Sequence, residues 1–389
     1  MPQKLKSRRI AELDGIRGLA ILSVLFYHFF WWGSDGNDWH GLGHYVWKLA
    51  QVGWAGVNLF FVLSGFLITG ILLDAKDRPH FFKNFYGRRA VRIIPAYALT
   101  LAIIYFYYPN SGSFVMLGFF FIANLAGFFQ IDPTYPVLWS ISIEEHFYLF
   151  WPLLVRFTKK NTFTFICIAI VLIEPILRGT AFAVHFSEEK QPWCRFDSLA
   201  WGGLIALFVR SRFTSRRNLG KLATLAFSMA LFLGIIGSPM GIMARRTLMG
   251  AALSHTIIDL GMSALVLFAL SVEGSRWGKP LAKGFLPRWG AISYSAYLLH
   301  CLLSPQWEKL NGLLGIQPGV GYATAHTLFG IGMTYVLASL SFRFVESPAL
   351  KLRRHFAEQK EATVVLEIPP KIPGEVLGEV PRSRLSMHV

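Results

Sequence analysis

The chain carries ionisable side chains inside runs of apolar residues. In a lipid-facing context such groups are costly, and by default they mark function. In LDGIRGLAILSVLFYH, Arg17 and His28 are eleven residues apart. At about 100° per residue they fall within about 20° of one helical face, about 16 Å apart along the axis. A cation at one mouth and an imidazole deeper in suit a long anionic ligand. The other reading is that Arg17 reaches lipid headgroups and His28 is a hydrogen-bonded bundle histidine. In KNFYGRRAVRIIPAY, Arg88, Arg89 and Arg92 stand at helical i,i+3 and i,i+4 spacings. Clustered guanidinium groups recognise phosphates through paired hydrogen bonds, although arginines at a span entrance also serve as anchors. Pro95 is expected at the start of the next helix, where proline is tolerated.

PVLWSISIEEHFYLFWPLL holds Glu144, Glu145 and His146 in succession, with Tyr148 one turn beyond Glu144. A carboxylate here could orient or charge-balance a histidine, or carry protons. All three could instead lie at the outer interface. In PWCRFDSLAWGGLIAL, Arg195 and Asp197 either pair with each other or contact a polar acceptor. In GAISYSAYLLHCLLSP, Ser293, Tyr297 and His300 share one face at i, i+4 and i+7. They line a polar cavity or bond between helices.

Other groups carry less. His40 and His44 are read as lying in a glycine-rich outer loop, Ser64 as a packing residue and Glu174 as the cap of a kink before Pro175. The cysteines Cys167, Cys194 and Cys301 form no C-x-x-C pair. Neither a disulfide framework nor a bound metal is expected.

The elements that must position these groups are membrane helices. Of 389 residues, 53% are apolar and only 15% charged, against about 25% charged in soluble domains. A purely soluble enzyme, a disordered chain and a secreted disulfide scaffold are excluded. Apolar segments fall at 16–32, 54–73, 93–108, 114–129, 137–155, 162–177, 197–209, 222–238, 247–271, 289–305 and 319–342. The basic start lacks a small-residue cleavage site, so it is read as a retained first helix. Both ends are basic and are expected in the cytosol, which requires an even number of spans.

Segment 114–129 is flanked by loops without Lys or Arg, and it contains Asn124. It is read as re-entrant or interfacial. The expected fold is therefore all-α: a polytopic integral membrane helix bundle of ten transmembrane helices plus that segment, over residues 1–350. A polar tail, 351–389, is expected to be disordered in the cytosol. This topology puts 31 of the 38 Lys and Arg on the cytosolic side and 7 outside. That is a positive-inside pattern, and it accounts for the net charge of +16 without nucleic acid.

Taken together, the motifs resemble the membrane-bound acyltransferase-3 family of bacterial O-acyltransferases. LDGIRGLAILSVLFYH matches its first-helix R-x10-H pattern, GVNLFFVLSGFLITGILL its second helix and RRAVRIIPAY its R-x-x-R motif. LWSISIEEHFYLFWP matches W-S-x-x-x-E at Trp139, Ser140 and Glu144, and RFDSLAWGGLIA and ISYSAYLLH resemble two later blocks. The likeness covers residues 12–350. It implies ten spans with both termini in the cytosol, and transfer of an acyl group, usually acetyl, from cytosolic acyl-CoA. The acceptor it implies is a hydroxyl of a surface polysaccharide, lipopolysaccharide, peptidoglycan or lipid-linked glycan. Many members carry an extra SGNH-type hydrolase domain, which is not expected here.

Under this resemblance Arg17, Arg89 and Arg92 hold the acyl-CoA phosphates and His28 is the general base. Glu144 fixes the His28 tautomer or steadies the imidazolium that forms. Trp139, Ser140, Arg195, Asp197, Tyr297 and His300 face the acceptor. No permanent cofactor is expected. The partners are acyl-CoA, a carbohydrate or glycolipid, and the lipid bilayer. Two competing readings use the same residues. One is a secondary transporter or lipid-linked glycan permease, and the other is an acyltransferase for lipids or small molecules.

Overall fold

A computed structural model describes residues 10–31, 39–185, 190–315 and 319–356. The described chain is all-α, without a strand. Helix α1 (Ala11–Phe26) ends in a π-helical turn, Tyr27–Trp31. Next come α2 (Gly41–Gln51), α3 (Gly56–Ala75), α4 (Phe81–Tyr107) and α5 (Gly112–Phe119). A 3-10 helix, Ala123–Phe129, leads to α6 (Leu138–Phe157), α7 (Lys160–Ala183) and α8 (Phe196–Val209). After α9 (Arg216–Gly237), α10 (Leu248–Ser271) and the short α11 (Lys279–Ala282) come α12 (Phe285–Leu299) and α13 (Ser304–Leu314). The last long helix, α14 (Val320–Ser341), continues through a π-helical turn, α15 (Ser347–Leu350) and a 3-10 turn to Phe356.

Seven described helical stretches are long and apolar enough to cross a bilayer: Ala11–Trp31, Gly41–Ala75, Phe81–Tyr107, Lys160–Ala183, Arg216–Gly237, Leu248–Ser271 and Val320–Phe356. The chain is thus a polytopic membrane protein. Three further apolar helices differ in kind. Helix α6 carries Glu144, Glu145 and Arg156, and α8 and α12 have only 14 and 15 residues.

Several elements depart from the reading of the sequence. The arginine-bearing stretch before 93 is not a loop, because α4 begins at Phe81 and runs through it. Pro95 therefore lies inside the helix rather than at its start, and Tyr294 of α12 donates to the Ile93 carbonyl beside it (3.1 Å). Segment 289–305 is not one helix. It breaks after Leu299, because Pro305 occupies the first turn of α13, a position proline favours. His44 lies on a helix, α2, which buries Trp47 and Ala50 and exposes Leu42, Tyr45 and Leu49, as interfacial helices do. Segment 114–129 splits into α5 and the 3-10 helix, each well short of the roughly 20 residues needed to span. The expected tail falls largely on residues 357–389, outside the described residues.

The central contact is between α1 and α12. A Cβ on Gly290 would sit 1.8 Å from the Asp14 carbonyl oxygen, and one on Gly18 would sit 2.0 Å from that of Leu286. Only hydrogen fits at either point, so the two backbones touch. Small residues allow such approach in bilayers, where apolar side chains gain little by leaving lipid. Helices α3 and α8 cross in the same way, with Gly65 against the Leu199 carbonyl and Gly202 against that of Val62. Between these crossings lies the largest core cluster, which includes Ile21, Leu25, Phe61, Ile141 and Leu298.

The crossing makes a prediction. Gly290→Ala must push α12 off α1, an overpacking cost of about 1–3 kcal/mol. Thermal unfolding of the purified protein in detergent should begin at a lower temperature, whereas Gly312→Ala, with open space around it, should leave it unchanged.

Candidate active site

A cavity of about 770 Å³, measured to its open mouth, lies among α1, α3, α4, α6 and α12. Arg17, Arg89 and Arg92 line it, with Ser64, Ser140, Glu144, Glu145, Tyr148, Ser293, Tyr294 and Tyr297. Three arginines from two separate helices therefore share a space that sequence spacing alone could not have joined. Arg17 also pairs with Asp14 at 3.3 Å, and the Arg89 guanidinium lies over the Tyr148 ring at 5.4 Å. Glu144 accepts hydrogen bonds from both Ser64 and Tyr148. The carboxylate, hydroxyl and phenol thus form one fixed unit behind Arg89.

Where α6 and α12 line the cavity, the Ser140 and Tyr297 hydroxyls are hydrogen-bonded at 2.6 Å. Beyond Tyr297 stand two histidines. The His300 ring is 5.6 Å from the Tyr297 ring and 4.8 Å from that of His28. His28 sits on the π-helical turn, a feature common at functional sites. Its Nδ1 bonds the Val24 carbonyl (2.9 Å), and His300 Nδ1 bonds the Tyr297 carbonyl (2.7 Å). A carbonyl only accepts, so each neutral ring carries its proton on Nδ1 and its lone pair on Nε2.

This corrects the expected role of Glu144. It is not the residue that sets the His28 tautomer, since no hydrogen bond joins the two among the described residues. The Val24 carbonyl does so within the helix itself. Of the consecutive ionisable groups, Glu144 and Glu145 line the cavity and His146 does not.

Arg195 and Asp197 do not pair with each other. Asp197 Oδ2 takes a 2.6 Å bond from Arg178 Nη1, and its backbone N–H donates to Glu174 (2.8 Å). Arg178 donates onward to Thr256 (2.6 Å) and to the Cys194 and Ala252 carbonyls. Arg195 bonds the His255 ring and Asn58 Oδ1 (3.1 Å), while Asn58 Nδ2 and Ser198 both donate to Asp259. The network unites α3, α7, α8 and α10. Arg178 and Asp197 are fully buried and Arg195 is 2% exposed. The Arg195 guanidinium lies 5.6 Å from the Phe61 and Trp139 rings, and Phe61 lines the cavity. Trp139 therefore acts behind the wall.

Sequence reading missed Asn58, Arg178, His255 and Asp259 as site residues, and it gave Ser64 and Glu174 structural parts only. Glu174 caps no kink, because its carboxylate serves Asp197 and Arg178. A signal was present: Glu174 and Arg178, like His255 and Asp259, stand at i,i+4 within apolar runs. Arg178 is one of the seven Lys and Arg that the expected topology puts outside, yet it lies buried within α7.

The description "Acyltransferase domain" of the acyltransferase-3 family matches residues 10–342. The chain belongs to that family. Among curated proteins, the peptidoglycan O-acetyltransferase OatA of Listeria monocytogenes is 28% identical, over 88% of this chain and 56% of the relative. YrhL of Bacillus subtilis, named provisionally as a peptidoglycan O-acetyltransferase, is 27% identical over 88% of the chain and 55% of its own length. A protein of Staphylococcus aureus (strain COL), named provisionally as an O-acetyltransferase, is 26% identical over 89% and 58%. The chain spans a little over half the length of these relatives. No solved structure matches it. The acyltransferase-3 assignment covers every residue of the cavity and of the buried network.

The network makes a further prediction. Asp197→Ala leaves Arg178 a buried cation without its closest anion, and breaking a buried pair costs about 3–5 kcal/mol. The variant should unfold at lower temperature in detergent, and Asp74→Ala, which removes the exposed partner of Arg210, should not.

Proposed function

We propose that this acyltransferase-3 protein is an O-acetyltransferase of the cytoplasmic membrane. In this reading it takes acetyl from cytosolic acetyl-CoA and places it on a hydroxyl of a cell-surface or lipid-linked carbohydrate. The observation that carries the reading is the run of ring contacts from the arginine-lined cavity, through Tyr297 and His300, to His28, which stands outside the cavity lining. Arg17, Arg89 and Arg92 line one cavity with Ser140 and Tyr297, and the His300 and His28 rings follow directly. The names of the relatives support acetyl as the group and peptidoglycan as one acceptor class. Lys and Arg placement supports ten spans with both termini in the cytosol, the seven long stretches together with α6, α8 and α12.

In this topology α1, α4 and α12 enter from the cytosolic side. The arginines then meet the donor's phosphates with charge-assisted hydrogen bonds. The thioester lies deeper, near Ser140 and Tyr297. His28 Nε2 takes the proton of the acceptor hydroxyl, and the oxygen attacks the thioester carbonyl carbon. The carbon–sulfur bond breaks, and the coenzyme thiolate leaves with the proton that His28 returns. Val24 holds the tautomer this requires. Of the bonded Ser140–Tyr297 pair, one hydroxyl proton is left to turn from the Val137 carbonyl to the developing oxyanion. Glu144 positions Arg89 through Tyr148 and does not act on the base. Arg195 braces the Phe61 and Trp139 wall.

The test uses membranes supplied with isotope-labelled acetyl-CoA, followed by separation of peptidoglycan, lipopolysaccharide and lipid-linked sugars. Label should enter one carbohydrate fraction with the wild type. His28→Ala should reduce it by roughly a hundredfold or more, the loss typical of a general base. Arg89→Ala should raise the KM for acetyl-CoA by roughly tenfold or more, since charged hydrogen bonds contribute about 1.5–3 kcal/mol, while kcat changes far less. Full activity in His28→Ala, or no label in any fraction with folded wild type, overturns the reading.

A further inference from the structure

His28 and His300 come from opposite ends of the chain, and a third group stands with them. One ligating atom from each of His28, His300 and Cys301 lies within 4.8 Å of the other two. We propose that these three residues form an inhibitory site for a zinc-class divalent cation.

The donor set fits such an ion. Two imidazole nitrogens and a thiolate are borderline-soft ligands that select zinc over magnesium, calcium or manganese. The two histidines share a second feature. Each has Nδ1 tied to a carbonyl of its own helix, at 2.9 Å for His28 and 2.7 Å for His300. Metal-ligating histidines almost always have their other ring N–H held in this way, which fixes the ring and raises the basicity of Nε2. His300 Nε2 is buried and has no hydrogen-bond partner among the described residues. An unsatisfied buried nitrogen costs stability, and a cation would satisfy it. Cys301 is a free thiol. It is also partly exposed, which gives the ion a way in.

The dimensions agree. Zinc–nitrogen bonds of about 2.0–2.1 Å and zinc–sulfur bonds of about 2.3 Å put tetrahedral donors about 3.3–3.6 Å apart. The donors stand at most 4.8 Å apart, so reaching these separations takes at most about 1.5 Å of closure. The exchange balances: the Cys301 thiol loses its proton to solvent as the zinc–sulfur bond forms, and the imidazoles bind as neutral ligands. The fourth position is left to water. Binding draws on the triad alone. Inhibition rests on the O-acetyltransferase reading, because the ion occupies the Nε2 lone pair that takes the acceptor proton.

The experiment uses the purified full-length protein in detergent. It is titrated separately with zinc chloride and cobalt chloride, and bound metal is measured after desalting. The wild type should retain one zinc per chain, and Cys301→Ser and His300→Ala should each bind roughly tenfold or more weakly. Cobalt should give a thiolate-to-metal absorption band in the wild type that Cys301→Ser lacks. Zinc should suppress acetyl transfer by the wild type, and a chelator should restore it. Cys301→Ser should keep the basal rate, which also reports its folding, and should retain that rate in zinc. Equal zinc retention by the wild type and both variants, or a cobalt spectrum without the thiolate band, overturns the site. Zinc held at the triad with transfer undiminished upholds the site and overturns His28 as the base.

Discussion

The backbone-to-backbone crossing of α1 and α12 is the constraint on which the rest of the molecule depends. Hydrogen at Gly18 and Gly290 lets carbonyl oxygens come where a methyl group would stand. Arg17 and Tyr297 therefore reach one cavity, and His28 and His300 meet edge to face at 4.8 Å. The proposed reaction needs this distance, since the base and the hydroxyl pair before it belong to different helices. In a soluble protein the burial of apolar area would hold two such helices together. In a bilayer that force is nearly absent between helices, and shape and polar bonds must take its place.

Polar bonds do so on the other flank. Helices α3, α7, α8 and α10 converge on Arg178, Asp197, Arg195 and Asp259, none of which reaches the cavity. Buried ion pairs are weak contributors to net stability, but they tolerate few alternative arrangements. The network therefore acts as a register device. It fixes Arg195 under Phe61 and Trp139, whose rings meet edge to face, and Phe61 lines the cavity. One flank is set by the absence of side chains, the other by charges that must find their partners.

Much of this was legible in the sequence. Apolar runs announced the all-α membrane fold, and the paired positions of Arg17 and His28, or of Ser293, Tyr297 and His300, announced faces that the structure also turns inward. Local periodicity carries such facts because a helix repeats every 3.6 residues. It does not carry partnership. The i,i+4 spacing puts Tyr148 beside Glu144, but nothing there says that the other neighbour is Ser64 rather than His28, and nothing in Asp197 points to Arg178 over Arg195. Those choices depend on which helices lie side by side. Element ends were misread where chain chemistry overrode hydropathy. Residues 81–92 are too polar to look like a span yet continue α4, and Pro305 begins a helix inside an apolar run.

The order of the chain gives the crossing a consequence for biogenesis. Helix α1 leaves the ribosome before α12, and Gly290 and His300 emerge only after the ten described helices α2 to α11 have been made. During that interval Asp14, Arg17 and His28 have no α12 to pack against, although α1 must already be inserted. The local pair of Asp14 and Arg17, one turn apart, offsets part of the cost of holding charge in lipid during the wait. The Val24 carbonyl does the same for the His28 ring from within its own helix. The groups that will do chemistry are thus provided for locally before their long-range partners exist, and the site closes only as the last third of the chain is threaded.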